Sequence, residues 1–312
     1  MSLAIENHRD SGAFPRLLRL AAVAAALPAS AARLAAQEGG VPAAGGGHAA
    51  GGDVFTRLYG HVIPHEIASF DLGAVRLGFY NIQIFQVLAV ALMFVIFFGV
   101  RRGLEASLAG GGRMGPFTRI FSGFVLFIRD EMVVPIMGDR EGSRFLPYFL
   151  FVFFFIAFQN LLGLIPHGAT ATASLFVTGG LAATTLALMV GGGMVVQGPG
   201  AFWKNLVPHG VPWWLVPLMF LVEVIGIIAK PFALTVRLFA NMLAGHLVVL
   251  SFMGLIFYFA GQIGNLAYAV AVPSVGMAVF IMIIEGFVAL LQAYIFTYLS
   301  ILFVGMCLHP EH

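Results

Sequence analysis

After about residue 78 the chain is a succession of long apolar runs separated by short polar breaks. The first run is Phe79–Val100, closed by Arg101-Arg102. The second is Phe145–Ile165, broken by Pro166-His167-Gly168, and the third is Ala173–Val196. From Pro212 to Ala260 the only strong breaks are Pro217 and Pro231, and from Leu266 to Leu308 there is one, Pro273. A helix needs about 20 apolar residues to cross a hydrocarbon core ~30 Å thick, and lipid admits only helices or closed barrels. These runs are too long for barrel strands. The pattern predicts an all-α polytopic membrane protein with about five membrane-embedded helices. The last two segments hold roughly 40 residues or more, about 60 Å of helix, and no turn cluster divides them. They are expected as a hairpin of long, strongly tilted helices lying against a protein partner.

The polar stretches complete the organisation. Phe117–Met137 alternates apolar clusters with Arg119, Arg129, Asp130 and Glu131, the pattern of an interfacial amphipathic helix. Asp53–Asp71 reads as a short external amphipathic stretch. His65-Glu66 begins like a zinc-protease motif, but position 69 is Ser, so His61 and His65 are read as surface residues. At the N-terminus Arg9, Arg16 and Arg19 precede the short run Leu20–Leu27, then Pro28 and Ala29-Ser30-Ala31. That order predicts a signal peptide over residues 1–31. The Gly/Ala tract Gly39–Gly52 reads as flexible linker. The expected division is therefore 1–31 leader, 32–78 linker and external segment, 79–308 membrane domain and 309–312 tail.

Composition narrows the class further. Hydrophobic residues make up 60% of the chain and charged ones 10%, against about 25% charged in soluble domains. The single Cys307 leaves no disulfide framework or thiolate metal cluster; no metal or other cofactor is called for. A net charge of +2 makes no case for nucleic acid. The basic residues Arg101, Arg102, Arg113, Arg119, Arg129, Arg140 and Arg144 cluster after the first run, and the positive-inside rule places that loop in the cytoplasm. The N-terminus is then outside and the C-terminus inside, in a bacterial plasma membrane.

Between Phe145 and His312 the only Lys, Arg, Asp or Glu residues are Lys204, Glu223, Lys230, Arg237, Glu285 and Glu311. Arg237 is the most informative. A guanidinium stays charged in a protein, and at bilayer depth it costs from ~3 to well over ~10 kcal/mol. Something negative is expected to meet it. Glu223, Lys230 and Arg237 are spaced by seven, which puts them within about 40° on one helical face. Asn241 follows one turn later, and His246 lies about 180° round from Arg237. On the next segment Glu285 and Gln292 are again seven apart. A Glu/Gln stripe on that helix could meet the His.

Arg237-Leu238-Phe239-Ala240-Asn241-Met242-Leu243-Ala244-Gly245-His246, with Lys230-Pro231 before it and Leu291-Gln292-Ala293-Tyr294-Ile295-Phe296 after it, resembles subunit a of the rotary F-type ATP synthase. Phe158-Gln159-Asn160-Leu161-Leu162-Gly163-Leu164-Ile165-Pro166 is similar to that family's second span and turn. The resemblance covers about Phe79–Leu308. It implies that Arg237 is the essential stator arginine, that Asn241 and Gln292 line proton access, and that Glu223 lies on the cytoplasmic exit side. His246 and Glu285 occupy positions that some bacterial members fill in the opposite order. Implied partners are the c-subunit ring, the b-subunit peripheral stalk, the other ATP synthase subunits and the lipid bilayer. The implied role is a stator proton channel without a catalytic site of its own.

Blander readings stand beside these. Glu285 or His246 alone is more often a satisfied buried polar group than a relay. Lys230 suits snorkelling or pairing with a carboxylate, and Asn160 suits a hydrogen bond between helices; either could have a minor role in the proton path. Gly179, Gly180 and Gly191–Gly193 are expected at close helix contacts, and the run Phe149–Phe158 as lipid-facing bulk. A self-contained ion-coupled secondary transporter is the alternative function. Such folds usually repeat internally, and no repeat links Phe79–Val196 to Pro212–Leu308. An intramembrane hydrolase would need a nucleophile with its base, and neither Gly-x-Ser-x-Gly nor His-Glu-x-x-His occurs.

Overall fold

The computed structural model describes residues 66–72, 75–110, 114–165, 171–207, 211–263 and 267–308. The expected leader, the Gly/Ala tract, His61 and His65, the Pro166-His167-Gly168 break and the tail 309–312 lie outside the described residues.

Strands β1 (Glu66–Leu72) and β2 (Val75–Tyr80) form an antiparallel hairpin with Leu72 paired to Val75 and a register shift between Glu66 and Ala68. The sequence reading did not anticipate it. The signal was present as period-two alternation: Ala68, Phe70 and Leu72 alternate with Ser69 and Asp71, and Val75, Leu77 and Phe79 with Arg76 and Gly78. Phe79 and Tyr80 thus belong to β2, and the first helix begins one residue later.

That helix, α1 (Asn81–Gly110), also runs on through Arg101-Arg102. The Arg pair ends the apolar run but not the helix. Arg is a good helix former, and Arg101 Nε lies 2.7 Å from Glu105 Oε1 one turn on. Next come α2 (Pro116–Phe127), a π-helical turn (Ile128–Val133) and α3 (Val134–Gly163). Gly138 breaks α3 with φ 74°, a backbone conformation open to Gly and costly for other residues. The kink falls one residue after Met137, where the expected interfacial segment ends.

Beyond the kink the Phe-rich run corrects the sequence reading. Phe149, Phe153, Phe154 and Phe155 are all buried, not lipid-facing. α3 is sandwiched between α1 and the final helix, and Phe154 meets Phe97 of α1 edge-on at 4.9 Å. Lipid and bundle interior are equally apolar, so hydropathy alone does not separate them.

After a buried 3-10 turn (Ala171–Ala173) come α4 (Leu175–Gln197), α5 (Pro199–Lys204), α6 (Val216–Ile263) and α7 (Ala267–Leu308). Among the described residues five helices are long and apolar enough to cross a membrane, with Pro116–Gly163 taken across its kink. At 48 and 42 residues, α6 and α7 would span about 72 and 63 Å if straight, so both must tilt steeply in a ~30 Å core. Neither Pro231 nor Pro273 interrupts its helix.

α7 is the central element, packed on α6, α3 and α4, while α1 sits at the edge against α2 and α3. A Cβ on Gly193 would lie 2.5 Å from the Phe202 ring and 3.0 Å from the Cys307 carbonyl, so close packing there needs Gly. Gly192 meets Phe145 and Leu308, and Gly179 meets Thr235, at ordinary contact distance. Gly180 and Gly191 face open space, contrary to expectation. At the C-terminal end of α7 Gln197 Nε2 donates to the Cys307 carbonyl at 2.7 Å, and Asn205 Nδ2 donates to Gln197 Oε1 at 3.1 Å. These bonds tie α4 to the C-terminus of α7 and satisfy a helix-terminal carbonyl.

Candidate functional site

The site is built on the α6–α7 hairpin, and α6 sets its orientation. Leu234, Leu238 and Met242, one turn apart, point into the bundle and are almost fully buried. That phase turns Arg237 outward, with Ala233, Ala240 and Ala244 exposed on the same side. Among the described residues no carboxylate lies within ion-pair distance of the Arg237 guanidinium. The cation therefore stands on a membrane-spanning helix with no carboxylate beside it among the described residues, and the small side chains around it leave room for another helix to come close.

Nine residues on, about 180° round α6, His246 faces α7. Its Nδ1 lies 4.0 Å from Glu285 Oε1, as the helical phase implied. Glu285 is buried and His246 partly so. Gly245 makes the approach possible: a Cβ there would lie 2.6 Å from the Glu285 carboxyl carbon. Gly245→Ala should accordingly push Glu285 away from His246. The expected result is a roughly ten-fold loss of any proton flux that uses the pair, within the coupling range of contacting residues. Proton uptake by vesicles, normalised to assembled protein, would check it.

Gln292 is buried on the same face of α7 as Glu285. Its Nε2, Glu285 Oε1 and Asn241 Nδ2 are buried without a hydrogen-bond partner among the described residues. Buried polar atoms are normally paired, so each of these three is a group that a water molecule would satisfy.

Asn160 makes the interhelical bond anticipated for it: Nδ2 donates to the Ala289 carbonyl of α7 at 3.1 Å, and the Thr172 hydroxyl donates to its Oδ1 at 2.6 Å. Lys230 has no carboxylate at ion-pair distance among the described residues and instead places Nζ 5.8 Å from the centre of the Phe303 ring. Glu223 and Lys230 both lie within electrostatic reach of the Cys307 thiol, level with the end of α7. Twenty-two residues, about 33 Å of helix, separate Cys307 from Glu285. The structure thus brings His246 to Glu285 and Glu223 with Lys230 to the far end of α7, and leaves Arg237 between the two groups on the outer face. Thr172 was not singled out from the sequence, and Gly245 entered only as part of the Arg237–His246 string, with no contact foreseen for it; a buried contact between distant segments leaves no local signal.

The chain matches the family model described as ATP synthase A chain over residues 83–305. It is 46% identical over 198 residues to the ATP synthase subunit a of Myxococcus xanthus, covering 64% of this chain and 63% of that one. It is 39% identical to the subunit a of Chloroherpeton thalassium over 81% of this chain and 72% of the relative. With the subunit a of Maricaulis maris it shares 34% identity over 80% of this chain and 95% of the relative. The match spans 63% and 55% of the lengths of the Myxococcus xanthus and Anaeromyxobacter dehalogenans (strain 2CP-C) relatives.

Proposed function

Because this chain belongs to the ATP synthase A chain family, we propose that it is the stator proton channel of an F-type ATP synthase, working against a rotor ring whose subunits each carry a membrane-embedded carboxyl. The observation that carries the reading is Arg237, exposed on α6 among Ala233, Ala240 and Ala244 with no carboxylate at hand among the described residues. A carboxyl crosses lipid protonated, since its ionised form is too costly there. Opposite a fixed guanidinium the ionised form becomes favourable, so the proton leaves at that point. Two offset aqueous half-channels then load and unload different ring positions. His246, Glu285, Asn241 and Gln292 serve the outer one, and Glu223, with Lys230 beside it, the inner one. The guanidinium between them repels hydrated protons and prevents a leak. An imidazole exchanges protons near neutral pH, which suits His246 to the entry path.

Purification of the assembled complex tests the partner. With Cys307→Ser as background, Ala240→Cys should cross-link to a small apolar carboxyl-bearing subunit of the ring. Cross-links only to a second copy of this chain, or none at all, would point to the self-contained transporter.

The proposed topology has the N-terminus outside, the C-terminus in the cytoplasm and the α6–α7 turn outside. The stretch from Ala260 to Pro273, which holds the end of α6, the connection and the start of α7, carries no Lys, Arg, Asp or Glu, as an exported segment can. Asn265→Cys in the Cys307→Ser background should react with an impermeant thiol reagent from outside. Reaction from the cytoplasmic side only would move His246 and Glu285 to the other half-channel.

A further inference from the structure

The 3-10 turn Ala171–Ala173 is buried among α1, α3, α4 and α6, and Ala171 and Thr172 have no exposed surface. Thr172 is its polar tip. Its hydroxyl donates to Asn160 Oδ1 at 2.6 Å, and Asn160 Nδ2 donates to the Ala289 carbonyl at 3.1 Å. The two bonds form one chain from the turn, through α3, to α7. The two bonds complete each other: the Ala289 carbonyl can only accept and so takes the NH₂ end of the amide, and the Thr172 hydroxyl donates to the oxygen end that is left. Asn160 is itself buried, so without the hydroxyl its oxygen would become an unpaired acceptor and the amide would keep only one of its two anchors.

Ala289 lies one turn beyond Glu285 and three residues before Gln292, on the buried face of α7 that carries both. The same face approaches α6 at Gly245 and His246. Holding Ala289 to α3 therefore sets how far the carboxyl reaches towards the imidazole. We propose that Thr172 is a positioning residue of the outer proton path, acting through Asn160 to hold the Glu285–Gln292 face of α7. This rests on the channel reading above and adds to it a residue from outside the α6–α7 hairpin.

The test compares Thr172→Val, which keeps the shape and removes the hydroxyl, with Thr172→Ser, which keeps the hydroxyl. The complete complex is reconstituted in liposomes, with passive proton flux and ATP synthesis measured per assembled complex and Arg237→Ala run alongside. Thr172→Val should lose flux roughly five- to hundred-fold, the range expected for one unpaired buried acceptor, and Thr172→Ser should stay close to the parent. Should Thr172→Val fail to assemble, Thr172→Cys, a weak donor, should show an intermediate loss. Parental flux in Thr172→Val or Thr172→Cys, or equal losses in Val and Ser, overturns the role of the hydroxyl while an inactive Arg237→Ala leaves the channel reading standing. An Arg237→Ala complex that synthesises ATP at the parental rate overturns both.

Discussion

Arg237→Ala should abolish proton-driven ATP synthesis while the protein still inserts and assembles. The two halves of that expectation rest on different faces of α6. Packing is carried by Leu234, Leu238 and Met242, which are almost fully buried, whereas Arg237 is exposed between alanines. Truncating it removes little contact within the chain. On the proposed mechanism it does remove the fixed charge that favours ionisation of a passing carboxyl. An opposite charge at close range shifts that balance by roughly ten- to thousand-fold, and losing it also removes the electrostatic barrier between the half-channels. Arg237→Lys should be badly impaired as well, because a buried ammonium can lose its proton and lacks the rigid fork of donors. Membrane vesicles given an imposed proton gradient provide the measurement. Normal ATP synthesis by Arg237→Ala vesicles would end the stator hypothesis.

His246→Ala and Glu285→Ala should each slow proton flux, and the double substitution should cost less than the two losses combined. The side chains lie 4.0 Å apart with Glu285 buried, so removing one strands the other in a site shaped for two. Contacting residues couple by about 0.5–3 kcal/mol, and the shortfall from additivity in ΔpH-driven turnover should fall in that range. The exchanged pair, His246→Glu with Glu285→His, should recover more flux than either exchange alone, since it keeps one carboxylate and one imidazole at the contact. Additive losses would show that the two residues act independently.

The proposed roles place different demands on the chain. Arg237 must be accessible to a partner, and the rest of α6 must hold it there. The pair must be sheltered and close. One helix meets both demands because His246 lies nine residues past Arg237, half a revolution round. On the proposed reading the outward face receives the ring, while the inward face meets α7. Gly245 then decides whether α7 can come near enough, and the bond from Asn160 to Ala289 decides where along α3 it rests.

Much of this was legible in the residue order. The five apolar runs, the absence of turn clusters in the last two, and the seven-residue spacing of Glu223, Lys230 and Arg237 and of Glu285 and Gln292 depend only on local periodicity and on what lipid tolerates. Those constraints act residue by residue, so the sequence alone determined the helical class, the long final hairpin and the polar faces. Which apolar faces meet lipid and which meet protein was decided by the tertiary structure, as the buried Phe149, Phe153, Phe154 and Phe155 show, because both surroundings reward the same side chains. The hairpin at Glu66–Tyr80 was hidden for a related reason: its second strand shares residues with an apolar run that continues into α1. The fit of Glu285 over Gly245, the Lys230–Phe303 contact and the Thr172–Asn160–Ala289 chain join segments far apart in sequence. Each depends on distances of a few ångströms between helices, and such distances come from packing, which residue order specifies only once the whole bundle has formed.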